Sequence, residues 1–522
     1  MKRTAPYLLA LLVLVAGFVG IHQTNVTWDE AVGDLFFGQR YISFFTTFDW
    51  RYLDFRADPY PAGFQPDLRA SFLRIRPWEH YPVASTLATA TSRLFVATRL
   101  LDPFDGYHAF NVILAALFLI LFYRWFDDPI AAITATLLLF AAPRIAADTL
   151  GNVKDYAEMV FFASALILLW RAVERESLGL MMASAVVAGL ALGTKANALF
   201  LPPIAILYVL LRGRRRIWLL PWLGVMLAVF FASWPYLWSH PLDALVRNAR
   251  YVLFRGTDAH IANSANPLAM IALTTPPTFL IAFVLGLLPL ARRLRARDPF
   301  ALLVTCWIGV VAARLVIPGA VNFDGVRHFL EIFPPMAAVG GMGVAALGRW
   351  RRIAAAAAVA PAVIALAMVH PFESAYWNGI AGGLPGAMAR HEPQAGDYWA
   401  ASYRVGLRWL NANAPRDTLL AVPIAEHTVR MVAPYRLRGD IRLVHLTNPW
   451  SRRVDQSTLA ILRAVSAQRP VYVMTVFRED WANELVYATL NGLPPLQVWQ
   501  VDGAPVLAIC RLTPAPADGR RP

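Results

Sequence analysis

Residues 107–124 read YHAFNVILAALFLILFYR, and between His108 and the closing Arg124 only Asn111 is strongly polar. An apolar run near 20 residues is what a helix needs to cross the hydrocarbon of a bilayer. Ten further stretches of this kind lie at about 5–21, 130–147, 156–172, 179–194, 197–211, 216–235, 269–290, 299–317, 328–347 and 353–370. The pattern predicts about eleven transmembrane helices, and so an all-α polytopic membrane domain over 1–370. Composition agrees, since 57% of the 522 residues are hydrophobic and 16% charged, against about a quarter charged in soluble chains. Met1-Lys2-Arg3 ahead of the apolar run 7–21 lacks a convincing small-residue cleavage pattern and reads as an uncleaved first helix.

The net charge of +14 would suggest nucleic acid in a soluble protein. Here the arginines fall in short clusters between apolar runs, at 212–216, 292–297 and 349–352, where they orient helices in a membrane. Nucleic acid is excluded as a partner. With the N-terminus in the cytoplasm, Arg124, Arg171, Arg175 and all three clusters fall inside. Counting 83–101 as a span would throw them outside; that stretch carries Arg93, Arg99 and several Ser and Thr, and is predicted to be an interfacial helix on the outer face. The expected location is the cytoplasmic (inner) membrane, with the C-terminal domain outside.

Residues 371–522 read as a separate extracytoplasmic α/β domain, with helical patterns at 401–413 and 456–467 and strand-like runs at 418–422, 441–445, 470–476 and 497–512. It contains no glycine-rich phosphate loop, metal-ligand spacing or nucleophile motif. Its plain reading is an accessory or docking domain. The two cysteines, Cys306 and Cys510, exclude a disulfide framework.

On the outer side, the first loop (22–106) is far longer than a helical reversal needs, which marks it as functional. Four polar spots meet on this face. Asp29 and Glu30 follow helix one; a hydrated helix end is the competing reading. Glu79 and His80 lie between Pro77 and Pro82, either a structural turn or a pair able to take a divalent metal. Asp148 to Asp155 is a polar octet holding Lys154, where a solvated turn is the alternative. Asn322 to His328 offers Arg327, suited to phosphate, beside His328, or simply an interfacial anchor. Lys195, between two apolar spans, adds a second cation. The outer loop 235–267, with Trp238, Arg247, Arg250, Arg255 and His260, is a candidate for acceptor or phosphate contacts.

At these residues the chain resembles the family 39 and aminoarabinose-transferase-like members of the GT-C glycosyltransferase superfamily. The resemblance covers most of 1–410: Asp29-Glu30 after helix one, Glu79-His80-Tyr81-Pro82, Lys154-Asp155, Asp324-Gly325-Val326-Arg327-His328 and His370-Pro371-Phe372-Glu373. Tyr81-Pro82 departs from the family's Pro-Pro pair. The resemblance implies a polyprenyl-phosphate-linked sugar donor, an acceptor lipid, glycan or protein, and inverting transfer. Asp29 is then the base, with Glu30 beside it, and Asp155 the second-loop acid in preference to Asp148. Glu79, His80, Lys154, Lys195, Arg255, Arg327 and His328 would bind substrate, and a divalent metal, if used, would sit at Asp29 and Glu79. Two other classes stay open: a lipid or glycan transporter or flippase, which would place its ionisable groups at the midplane, and a non-catalytic envelope scaffold. Lys195 and Asn197 are the nearest thing here to a midplane pair.

Overall fold

A computed structural model of the protein describes residues 4–55, 76–254, 266–317, 323–392, 394–446, 454–478, 481 and 484–514. The membrane part contains α1 (Ala5–Ile21), α2 (Leu35–Thr47), α3 (Val83–Ala97), α4 (Pro103–Tyr123), α5 (Pro129–Phe140), α6 (Pro143–Gly151), α7 (Val153–Glu174), α8 (Leu178–Leu192), α9 (Leu201–Arg212) and α10 (Leu219–Ser233). It continues with α11 (Tyr236–Ser239), α12 (Pro241–Phe254), α13 (Pro267–Thr274), α14 (Pro277–Arg295), α15 (Pro299–Leu315), α16 (Phe333–Ala345) and α17 (Arg351–Val369). A helix stands at each of the eleven predicted positions. Among the described residues five helices are long and apolar enough to cross a membrane, and a sixth span results if α5 and α6 are one, bent by 64°. Pro143 explains that bend: it removes an N–H and disfavours helix at the residue before it. The protein is a multi-pass membrane protein.

Arginines and the N-terminus share one end of this bundle. Arg124 donates to the Tyr7 hydroxyl at 2.6 Å and Arg171 to the Arg124 carbonyl at 3.0 Å. Arg351 pairs with Asp128 at 2.9 Å, Arg212 with Glu174 at 3.1 Å, and Arg293 lies over Phe300, whose ring meets Trp125. Helix α3 sits at the other end. Its first N–H, of Val83, donates to Gly193 just past α8, and its Ser92 hydroxyl donates to Pro103 at the start of α4. These two bonds tie α3 to the place where α8 ends and α4 begins.

The C-terminal region adds α18 (Gly383–Ala389), α19 (Tyr403–Asn413), α20 (Glu426–Arg436), α21 (Gln456–Val465) and α22 (Glu484–Asn491) around a five-stranded sheet. Its strands are β1 (Leu419–Ala421), β2 (Arg442–Val444), β3 (Val471–Val476), β4 (Pro495–Val501) and β5 (Ala504–Arg511), in the order β2-β1-β3-β5-β4. β1 runs parallel to β2 and β3, whereas β5 is antiparallel to β3 and β4. The single run predicted at 497–512 is in fact a hairpin, reversed at Asp502-Gly503, both with positive φ. That dipeptide is a strong signal for a tight hairpin turn.

Ion pairs dock this domain on the face opposite the arginine clusters. Arg436 reaches Asp102 at 2.8 Å and Asp105 at 2.5 Å, Arg404 reaches Asp105 at 3.3 Å, and His22 stands 2.7 Å from Asp105. Burial works against the charge of Asp102, but Arg436 and Arg404 outweigh it and hold the carboxyl below its ordinary pKa.

Candidate active site

Past α1 the chain makes a π-helical turn over Glu30–Asp34. In an ordinary helix residues five apart point well away from each other; the i to i+5 bonding of a π turn stacks them. Asp29 and Asp34 are thus brought to one cation, Lys154, at 3.7 and 3.1 Å. Glu30, buried, turns the other way. It accepts from the N–H groups of Thr27 (2.9 Å) and Val153 (3.3 Å) and lies 3.0 Å from His108 Nε2. Its carboxylate joins the first loop to α4 and α7. Replacing Glu30 with Gln turns an N–H donor toward groups that need an acceptor, which is expected to cost about 1–3 kcal/mol. A fall in Tm of the purified variant checks this; an unchanged Tm removes the tying role.

Asn152 starts α7 by accepting from the Asp155 N–H, and its amide donates to Asp148 (2.8 Å) and Asp155 (3.0 Å). The two acids then part. Asp155, fully buried, meets Lys195 at 2.8 Å and Arg327 at 3.6 Å, whereas no ion pair is formed by Asp148 among the described residues. Lys195 and Asn197 also donate to the carbonyls of Arg327 (2.9 Å) and His328 (2.7 Å), so they belong to this cluster.

Arg327 is the hub. It bonds Asp29 at 2.6 Å and Asp324 at 3.0 Å. Burial opposes its charge; the carboxylates of Asp29, Asp324 and Asp155 more than offset this and raise its pKa above the ordinary value. The imidazole of His328 lies edge-on to Phe323, with 4.6 Å between ring centroids.

The remaining predicted residues divide. His80 reaches the cluster through Asp34, 3.5 Å away, and stacks on Phe37. Gly33 makes room for it: a Cβ there would come within 2.4 Å of the imidazole. Glu79 pairs with Arg76 at 2.9 Å, and Arg247 lies over Trp78. Arg255, His260 and Asn322 lie outside the described residues. His370 and Glu373 approach each other at 2.5 Å, and among the described residues neither forms an ion pair with the cluster. As for a metal, Asp29 carries two cations and Glu79 one, and among the described residues no group of three His, Cys, Asp or Glu could hold an ion.

Three participants went unassigned in the sequence: Asp34, Asp324 as a bridging acid, and Arg478, whose Nη2 lies 2.8 Å from Asp324. A fourth is His427 on α20, packed edge-on against Trp28 at 5.0 Å. Burial drives its pKa down to about 3, with the Trp28 backbone holding it back in part. The unfolded imidazole takes a proton near its ordinary 6.5, so stability is lost as pH falls from that value toward 3, by up to about 1.4 kcal/mol per pH unit. His427→Phe is expected to flatten this loss between pH 6 and 4. Tm measured across that range decides; equal slopes in both proteins reject it.

Residues 82–238 match the family model described as dolichyl-phosphate-mannose-protein mannosyltransferase. The structure aligns with ArnT from Cupriavidus metallidurans bound to undecaprenyl phosphate at a TM-score of 0.51 and 14% identity, covering 97% of this chain and 98% of that one. The chain has the fold of ArnT. The apo form of that protein gives 0.48 at 16% identity, covering 98% of both chains. The Archaeoglobus fulgidus oligosaccharyltransferase tethered to an acceptor peptide gives 0.44 at 13%, covering 90% of this chain and 69% of that one. No curated protein matches the sequence. The family model covers under a third of the chain, and the structural likeness is one of fold.

Proposed function

We propose that the protein is an integral-membrane glycosyltransferase that moves a sugar from a polyprenyl-phosphate donor to an acceptor on the outer face of the cytoplasmic membrane, with inversion. The observation that carries this reading is the setting of Asp29. Its side chain is 32% exposed, within a network whose other acids, Asp34, Asp155 and Asp324, are at most 10% exposed. An accessible carboxylate thus stands beside Arg327 and Lys154.

Asp29 takes the proton of an acceptor hydroxyl or amine. The freed electron pair bonds to the anomeric carbon, the bond from that carbon to the phosphate oxygen breaks, and its electrons leave with the phosphate. The transition state has oxocarbenium character. The phosphate gains negative charge as it departs, and a cation already in place stabilises that gain without reorganising. Arg327 and Lys154 supply the field, while Lys195 holds Asp155 behind them. ArnT has been solved with undecaprenyl phosphate, which supports a polyprenyl-phosphate donor on the same fold. The arginine clusters gathered at the N-terminal end support a cytoplasmic N-terminus and an outer C-terminal domain.

The test is transfer of radiolabelled sugar by the purified full-length protein, reconstituted in liposomes with a panel of polyprenyl-phosphate sugars and envelope extract as acceptor. Label moving from lipid to acceptor is expected. Silence across the panel sinks the proposal.

A further inference from the structure

We infer that α12 is an interfacial helix: it lies along the bilayer surface with an apolar stripe in the lipid, and it holds the segment carrying His80 at that surface. With 3.6 residues to a turn, Leu242, Leu245, Val246, Ala249 and Leu253 fall on one stripe roughly 100° wide. Asp243, Arg247 and Arg250 fall on the side adjoining it. In a surface helix an apolar stripe of this width ordinarily faces the core. Here it faces away: Leu242 is 79% exposed, Val246 50% and Leu253 74%.

The side that packs is narrow. Ala244 and Asn248 are buried, and the Asn248 amide donates to the Trp78 carbonyl at 2.7 Å while accepting from the Tyr81 hydroxyl at 2.9 Å. With Arg247 lying over the Trp78 ring, these contacts fix the rotation of the helix and so the direction of its stripe. The chain on either side points to lipid as what covers it. Before α12 comes α10, which with the turn ahead of it is apolar enough to cross a membrane, and whose side chains are exposed from Leu220 through Leu227 to Phe231. Trp238 bonds back to the Phe231 carbonyl at 2.8 Å, so α12 begins close to the end of α10. After α12 comes α14, a second helix able to span. A helix tethered between two spans, apolar where it turns from the protein and charged beside that stripe, has the pattern of one resting at the headgroup boundary. Its hold on Trp78 and Tyr81 carries the contact inward, since His80 between them reaches Asp34. None of this requires sugar transfer.

The test uses the full-length protein in vesicles of phosphatidylcholine and phosphatidylglycerol, labelled with an environment-sensitive dye at Leu242→Cys, Val246→Cys, Leu253→Cys or Arg250→Cys. Cys306 and Cys510 are buried, and the unsubstituted protein gives the background. Dyes on the stripe are expected to be quenched by a lipid bearing a doxyl group near its headgroup and shielded from iodide, whereas the dye at Arg250 stays open to iodide. Stripe dyes open to iodide and untouched by the doxyl lipid overturn the inference. So do stripe dyes shielded from both quenchers, which would place a protein partner or a second copy on this face, and so does a dye at Arg250 quenched by the doxyl lipid as strongly as the stripe. Charges placed on the stripe, in Leu242→Asp/Leu253→Asp, are expected to lift the helix and speed hydrogen exchange across 78–81 threefold or more in vesicles. Exchange unchanged from wild type overturns the hold on that segment.

Discussion

Asp29→Asn, purified at wild-type yield, is expected to lose sugar transfer by about 10²–10⁴-fold, the range over which a positioned general base acts. Asparagine keeps the shape of the side chain, so a loss with unchanged Tm isolates proton transfer from packing. The exposure of Asp29 matters here: at 32%, it can be neutralised without the cost of a fully buried group. Its partner Arg327 still has Asp324 and Asp155. Undecaprenyl phosphate should bind the variant at least as well as wild type, because one negative charge has gone from the site. Transfer within threefold of wild type would remove Asp29 as the base; loss of binding as well as transfer would make it a substrate contact.

Arg327→Gln has the larger structural effect. The guanidinium is 3% exposed and serves three carboxylates, those of Asp29, Asp155 and Asp324. Removing one member of a buried ion-pair network leaves the others uncompensated, at about 3–5 kcal/mol. A drop in Tm together with loss of transfer is expected, and Arg327→Lys should recover part of the stability while remaining slow, since one ammonium cannot reproduce the paired geometry. A variant with unchanged Tm would show that the carboxylates are satisfied by other means. Lys154 and Lys195 are the groups that could do so.

Much of this was legible in the sequence. Long apolar runs announce their helices because a bilayer leaves backbone polar groups no partner but the helix itself, and the arginine clusters fixed which ends lie together. That logic also put Asp29, Lys154, Asp155, Lys195 and Arg327 on one face, where the structure joins them in one network. What it could not do was separate Asp29 from Glu30. Adjacent acids point in different directions, and only the fold shows that Glu30 meets His108 while Asp29 meets Arg327. Asp34 was hidden by an irregularity of the backbone, since ordinary helical spacing puts it on another side from Asp29. Arg478 was hidden by distance along the chain: nothing local in a soluble-looking domain says that it will meet Asp324.

The order of the chain gives that last contact a meaning in biosynthesis. Asp102, Asp105 and Asp324 leave the ribosome well before Arg436 and Arg478, the cations that complete them. A protein whose acidic face waits for partners from its own last segment acquires a finished site only after that segment has docked. Docking of the tail thus becomes the last step of assembly, and a chain stalled before it carries these acids without Arg436 and Arg478.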